Sequence, residues 1–142
     1  MTLPSFKLLF ERPKDDSDTS AKIIAFYKNK ILILQNKDNT FELPGGHIKI
    51  GETLLAGAKR EFEEETGIKV SSLKLVRKIK NRVFYTTTLY NNRVSLSDEH
   101  KNYNFVSKSN LFKYPLSLKA RKDLKYFKPK KIKSNDNIQD IS

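Results

Sequence analysis

Gly46-His47-Ile48-Lys49-Ile50-Gly51-Glu52-Thr53-Leu54-Leu55-Ala56-Gly57-Ala58-Lys59-Arg60-Glu61-Phe62-Glu63-Glu64-Glu65-Thr66-Gly67-Ile68 is the stretch whose pattern decides the fold. From Thr53 to Thr66 it is helical: Leu55, Ala58 and Phe62 recur at i, i+3 and i+7 as a stripe for burial, and Gly67 stands where a glycine ends a helix. Glu61, Glu64 and Glu65 stand at i, i+3 and i+4, so three carboxylates share one face. Glu63 lies about 200° around the helix from Glu61. An acidic face is most often simply solvated, but carboxylates held this close repel unless a cation sits among them. Arg60 can fork onto a neighbouring carboxylate and orient it. Gly45-Gly46, just ahead, lets backbone carbonyls approach the same cation. The chain has no cysteine, and His47 and His100 are its two imidazoles, so a metal site would use mainly oxygen ligands, which points to Mg²⁺ or Mn²⁺.

The spacing of the whole stretch is more specific than its acidic face. Gly46-x5-Glu52-x7-Arg60-Glu61-Phe62-x-Glu64-Glu65-x-Gly67-Ile68 resembles the box of the Nudix hydrolase family, with all seven fixed positions present. At roughly one in ten to twenty per position, chance agreement is negligible. Phe62 stands where the family prefers an aliphatic residue, a departure that touches packing and not chemistry.

The resemblance implies a set of roles. Glu64 and Glu65 match paired metal ligands, and Glu61 a residue that binds metal or serves as base. Arg60 matches the arginine that orients that glutamate, and Glu52 the residue that braces the loop-helix unit together with Gly46 and Gly67. Gly45 matches a glycine whose carbonyl ligates the metal. The implied reaction is attack of water on a phosphorus of a nucleoside diphosphate linked to another group, with a divalent cation polarising the phosphoryl oxygens. Some family members draw a further ligand or the base from a loop well after the box. Here Asp98 and Glu99 occupy that place, with Glu99 preferred, and the neighbouring His100 is a candidate for pairing with it or with phosphate. His47 reads as a partly exposed strand residue. Tyr85, 17 residues beyond Ile68, resembles the downstream mark of dinucleoside-polyphosphate hydrolases, although its aromatic strand places some rings in a core by alternation alone. The proline that marks many ADP-ribose hydrolases is missing; Val83 and Phe84 occupy its neighbourhood.

Working outward, Ser20 to Tyr27 and Ile31 to Gln35 are short apolar runs joined by a hairpin turn at Lys28-Asn29-Lys30. Phe41 to Leu43 is extended, after a turn at Lys37-Asp38-Asn39 and before Pro44-Gly45-Gly46. Val70 to Ile79 and Val83 to Tyr90 read as paired strands turning at Asn81, and Tyr103 to Val106 as one more. Ser117 is placed to cap a last helix with Leu116, Ala120, Leu124 and Phe127 on one face. The pattern predicts an α/β (α+β) chain, and the resemblance an α/β/α sandwich around a mixed sheet. A single domain over residues 1–127 and a polar tail over 128–142 are expected.

The 142 residues carry a net charge of +12, unevenly spread. Residues 69–133 hold 18 bases against Asp98, Glu99 and Asp123, while residues 46–68 hold 3 bases and 5 acids. An acidic centre in a basic surround suits a polyanionic substrate. A codon bias, with 22 lysines to 6 arginines and 11 asparagines, explains the same numbers without function. No run reaches the roughly 18 apolar residues of a membrane span, the N-terminus does not read as a secretory signal, and the lack of cysteine suits a reducing, cytoplasmic setting. The expected partner is a small nucleotide substrate: a dinucleoside polyphosphate or related nucleotide first, an RNA 5′ end second, ADP-ribose or a nucleotide sugar third. A basic nucleic-acid-binding module without chemistry is the alternative from another class. Oligomeric state is left open.

Overall fold

The computed structural model describes residues 19–125. β1 (Ser20–Tyr27) and β2 (Lys30–Asn36) form a hairpin in which Tyr27 pairs with Lys30. The two turn residues, Lys28 and Asn29, both have positive φ (49° and 65°), the twist a two-residue hairpin turn requires. Direct pairing of β1 with β2 is recorded at Phe26↔Ile31 and Tyr27↔Lys30, beside the turn. Beyond it the two strands take other partners: β3 (Phe41–Glu42) pairs with β2, and β4 (Gly45–His47) with β1. Pro44, Gly45 and Gly46 lie in this fork.

The other edges complete a mixed sheet. β6 (Arg82–Thr88) runs parallel to β1 from Ser20↔Arg82 to Phe26↔Thr88, and β5 (Lys74–Ile79) is antiparallel to β6. β7 (His100–Ser107) pairs with β2 antiparallel along its length. Each face is covered. Helix α1 (Leu54–Thr66) packs Leu54, Ala58 and Phe62 on Ala21, Ile23, Val83 and Tyr85. Helix α2 (Leu118–Lys125), with a 3₁₀ segment over Lys108–Lys113, covers Ile24, Ile31, Ile33 and Val106 on the other face. The architecture is the expected mixed-sheet sandwich.

Several boundaries differ from the sequence reading. The buried stripe of α1 begins at Leu54, 2% exposed, and Leu55 is only partly buried. β5 starts at Lys74 and not at Val70, and β6 ends at Thr88, leaving Tyr90 94% exposed. β7 extends three residues before Tyr103, because Asn102 and His100 pair with Gln35 and Asn36 of β2 across a register shift at Lys101. Ser117 caps α2 as expected, accepting from the Ala120 N–H at 3.1 Å, and Leu116, Ala120 and Leu124 are buried. Phe127 and the expected tail lie outside the described residues. Among the described residues no helix is long and apolar enough to cross a membrane.

Candidate active site

Helix α1 is fixed at both ends. Thr53 accepts the Ala56 N–H at 3.1 Å, and Gly67, at φ 73°, ends the helix by donating its N–H to the Glu63 carbonyl. Arg60 then ties this helix to the loop before it. Its Nε donates to Glu52 Oε2 at 2.6 Å, and its two terminal nitrogens reach Glu52 Oε1, Glu61 Oε2, Glu64 Oε1 and the His47 carbonyl at 3.0–3.1 Å. The bond to Glu52 raises the guanidinium's pKa further above its ordinary value, so it stays charged, and it holds the Glu52 carboxyl below its own. Glu52 also accepts the Lys49 N–H at 2.8 Å. These bonds join the loop at Glu52 to helix α1 at Arg60.

The three carboxylates of the shared face go different ways. Glu61 and Glu64 are held by Arg60, with Glu64 exposed. Glu65, one position on, turns inward and is 4% exposed, its Oε1 accepting the Gly45 N–H at 2.8 Å. Burial pushes the Glu65 carboxyl up to about 8, against the pull of the Gly45 N–H and Lys22. Both loop glycines are there for space. A Cβ on Gly46 would sit 2.4 Å from Glu61 Oε1, so Gly46 makes the recess for that carboxylate. Gly45, at φ 137°, presses on β1, where a Cβ would meet the Ala21 carbonyl at 2.0 Å.

Glu65 meets the loop after β6. Oxygen atoms of Glu65 and Glu99 and a ring nitrogen of His100 lie within 4.8 Å of one another. Glu99, which leads into β7, is therefore brought to the helix; Asp98 is exposed and outside this group. His47 is exposed, as a strand-end residue. Tyr85 is placed elsewhere: its side chain is fully buried in the core under α1, paired across the sheet with Ile23. A ring so enclosed has no free face for a base, and the stacking role is dropped. Strand alternation decides it, because Val83 and Tyr85 share the face that α1 covers.

Two residues escaped the sequence reading. Glu42 accepts from His100 Nε2 at 2.7 Å and faces Lys22 Nζ at 3.7 Å; Lys22 in turn donates to the Leu43 carbonyl at 3.3 Å. Burial acts to raise the Glu42 carboxyl, but His100 and Lys22 outweigh it and hold the group below its ordinary value. The signal was present: Lys22 is a lone charge inside the apolar run Ser20 to Tyr27, and Glu42 lies between Phe41 and Leu43. Charges rarely sit in buried strands without partners.

The donor set fits a divalent cation. It offers carboxylate oxygens from helix α1 (Glu65) and from the loop before β7 (Glu99), a buried carboxyl whose charged form burial disfavours, and a buried imidazole nitrogen (Nδ1 of His100) with no hydrogen-bond partner. An acidic recess with Arg60 and Lys22 on its walls can bind a cation and the anion it carries.

Comparisons with known proteins agree with this geometry. The NUDIX domain family matches residues 17–131. The chain is 34% identical over 70 residues to a putative 8-oxo-dGTP diphosphatase of Bacillus subtilis, over 49% of this chain and 44% of that protein. It is 47% identical over 51 residues to an ADP-ribose pyrophosphatase of Methanocaldococcus jannaschii, over 32% of this chain and 30% of that protein. The matched part thus spans less than half the length of these curated relatives. Among solved structures, a MutT NUDIX hydrolase from Burkholderia pseudomallei is similar with a TM-score of 0.63 and 21% identity, over 75% of this chain and 94% of the other. An Ap4A hydrolase of C. elegans is similar with a TM-score of 0.62 and 22% identity, over 76% and 94%. At such identities the likeness is one of fold. The family match, running through every strand and helix described, carries the assignment: this chain belongs to the NUDIX domain family.

Proposed function

We propose that the chain is a divalent-cation-dependent pyrophosphohydrolase acting on a nucleoside diphosphate linked to a further group. The observation that carries this is the meeting of Glu65 with Glu99 beside an Arg60-anchored pair, Glu61 and Glu64. Glu61, Glu64 and Glu65, with the Gly45 carbonyl, would hold Mg²⁺ or Mn²⁺. When bound, the cation would polarise a phosphoryl oxygen and offset charge on the departing phosphate. Arg60 orients Glu61 and Glu64 through its hydrogen bonds to them. Glu99, on an exposed turn at the rim, is free to take a proton from the attacking water, the general-base role. Lys22, at the floor of the fork, offsets the negative charge that substrate phosphates bring.

Substrate choice rests on the surface. The basic surround favours a highly charged nucleotide, so a dinucleoside polyphosphate or related nucleotide ranks first and an RNA 5′ end second; ADP-ribose or a nucleotide sugar ranks third. With Tyr85 in the core, charge alone supports that order. The names of the similar proteins add 8-oxo-dGTP to the compounds worth assaying. The test is a panel of these compounds with Mg²⁺ and Mn²⁺, compared by kcat/KM, for wild type, Glu64→Gln and Glu65→Gln. Each variant is expected to lose on the order of 10²-fold or more in turnover while keeping its fold. Full activity in both variants, or in excess EDTA, would overturn the cation-dependent mechanism, and no turnover of any compound in the panel would overturn the hydrolase function. A tenfold preference for ADP-ribose would overturn the substrate order alone.

A further inference from the structure

The two nitrogens of the His100 ring have unlike surroundings. The residue is 4% exposed, and its Nε2 lies 2.7 Å from Glu42 Oε2. A carboxylate only accepts, so Nε2 carries the hydrogen and donates it. Lys22 faces the other oxygen of Glu42, which fixes that carboxylate and with it the plane of the ring. In the neutral ring Nδ1 is then the lone-pair nitrogen, and it is buried and has no hydrogen-bond partner. An apolar ring could fill such a position, and a bare acceptor buried there is unfavourable. Glu65 and Glu99 stand before this ring, their ligand atoms and the imidazole's all within 4.8 Å. Two bonds of about 2.1–2.4 Å, end to end across one cation, cover that distance.

We infer that His100 is a metal ligand: oriented by Glu42, it presents Nδ1 to the cation held at Glu65, with Glu99 beside that cation. This rests on the cation-dependent site proposed above and deepens it, because a nitrogen donor changes which cation the site prefers. Imidazole suits transition metals such as Zn, Cu, Fe and Ni, and Mg²⁺ is served by oxygen; Mn²⁺ also favours oxygen but, as a first-row transition ion, takes a nitrogen donor more readily than Mg²⁺ does. The site should therefore bind Mn²⁺ in preference to Mg²⁺ by more than an all-carboxylate site does. Glu42 is a positioning residue here, acting through the ring.

The chain has two histidines, which makes the test direct. His47→Gln removes the exposed imidazole and keeps the backbone carbonyl to which Arg60 donates. Full-length His47→Gln protein, loaded with Mn²⁺ and free of substrate, is examined by pulsed electron paramagnetic resonance, once unlabelled and once with ¹⁵N-histidine. Nitrogen modulation that changes with the label is expected and assigns His100 without altering the core. Bound Mn²⁺ with no histidine nitrogen coupling would overturn the inference, as would failure to bind Mn²⁺. In a second measurement, His100→Gln should weaken Mn²⁺ binding on the order of tenfold and Mg²⁺ binding far less. Equal losses for both ions would also overturn it. Because neither readout uses substrate, nitrogen coupling in a chain that hydrolyses no diphosphate would sink only the hydrolase function. Turnover without that coupling would sink only this ligand.

Discussion

Glu52 and Arg60 form the bond on which the acidic recess is built. The arginine makes a fork onto both oxygens of Glu52, so the loop and α1 move as one body, and Glu61 and Glu64 are held from the same guanidinium. Glu52 ionises below its ordinary value of 4.5, chiefly because Arg60 donates to it. A carboxyl depressed in the folded state contributes stability that is complete above the unfolded value and is lost as pH falls through the folded one. Wild type should therefore exceed Glu52→Gln by on the order of 1 kcal/mol at neutral pH, a figure kept small by partial exposure. The gap in Tm should stay level from about pH 8 to 6 and narrow below about 4.5. Thermal melts of the metal-free proteins at pH 7 and pH 4 check this; an equal or wider gap at pH 4 contradicts it. At this scale the sequence showed which residues matter and not where each one points. Glu64 and Glu65 are neighbours in the box, yet a turn of about 100° sends one to Arg60 and solvent and the other into the fold. That difference comes from Gly45, whose N–H waits on the far side of the recess.

Between elements, the short contact of α1 with the loop that follows β6 carries Glu99 to the helix. Ser95 donates its N–H to the Thr66 carbonyl at 2.8 Å, and its side chain closes on Gly67. Gly67 serves two needs there. Its φ of 73° is unfavourable for other residues, and a Cβ would come within 2.9 Å of Ser95 Cβ and 3.2 Å of the Ser95 carbonyl. Gly67→Ala is expected to cost about 1–3 kcal/mol of stability and to lower turnover by pushing the Glu99 loop outward. Denaturant unfolding beside an activity assay tests both; a variant matching wild type in each would refute this coupling. The helix and its end were readable because period, cap and glycine all agree locally. The docking of residues 94–96 was not, since it depends on a long-range contact with no periodic signal. β7 was read short for a related reason: exposed edge positions such as Lys101, Asn102 and Asn104 carry no apolar alternation, although the backbone pairs with β2 through a register shift at Lys101.

Over the whole molecule, the net charge of +12 is unevenly divided between two sides of the fold. The carboxylate recess lies on the α1 side of the fork, whereas the outer face of α2 exposes Lys119, Arg121, Lys122 and Lys125. The acid on that helix does not offset them, because Asp123 is buried and paired with Arg82. Opposite charges on two sides of one small domain act on a polyanion differently. The recess repels it until a cation is bound, while the basic surround attracts it from a distance. If that attraction serves encounter, kcat/KM for a polyphosphate substrate should fall several-fold between about 0.02 and 0.3 M salt, with kcat little changed, as the screening length shrinks to less than about 8 Å. A triple variant, Lys119→Ser with Lys122→Ser and Lys125→Ser, should flatten the slope and leave the fold intact, since these side chains are exposed. Stopped-flow or initial-rate measurements over salt decide the matter. A slope that is the same in both proteins would assign the lysines to composition alone and leave substrate choice to the recess, where Lys22 and Arg60 are the cations within reach.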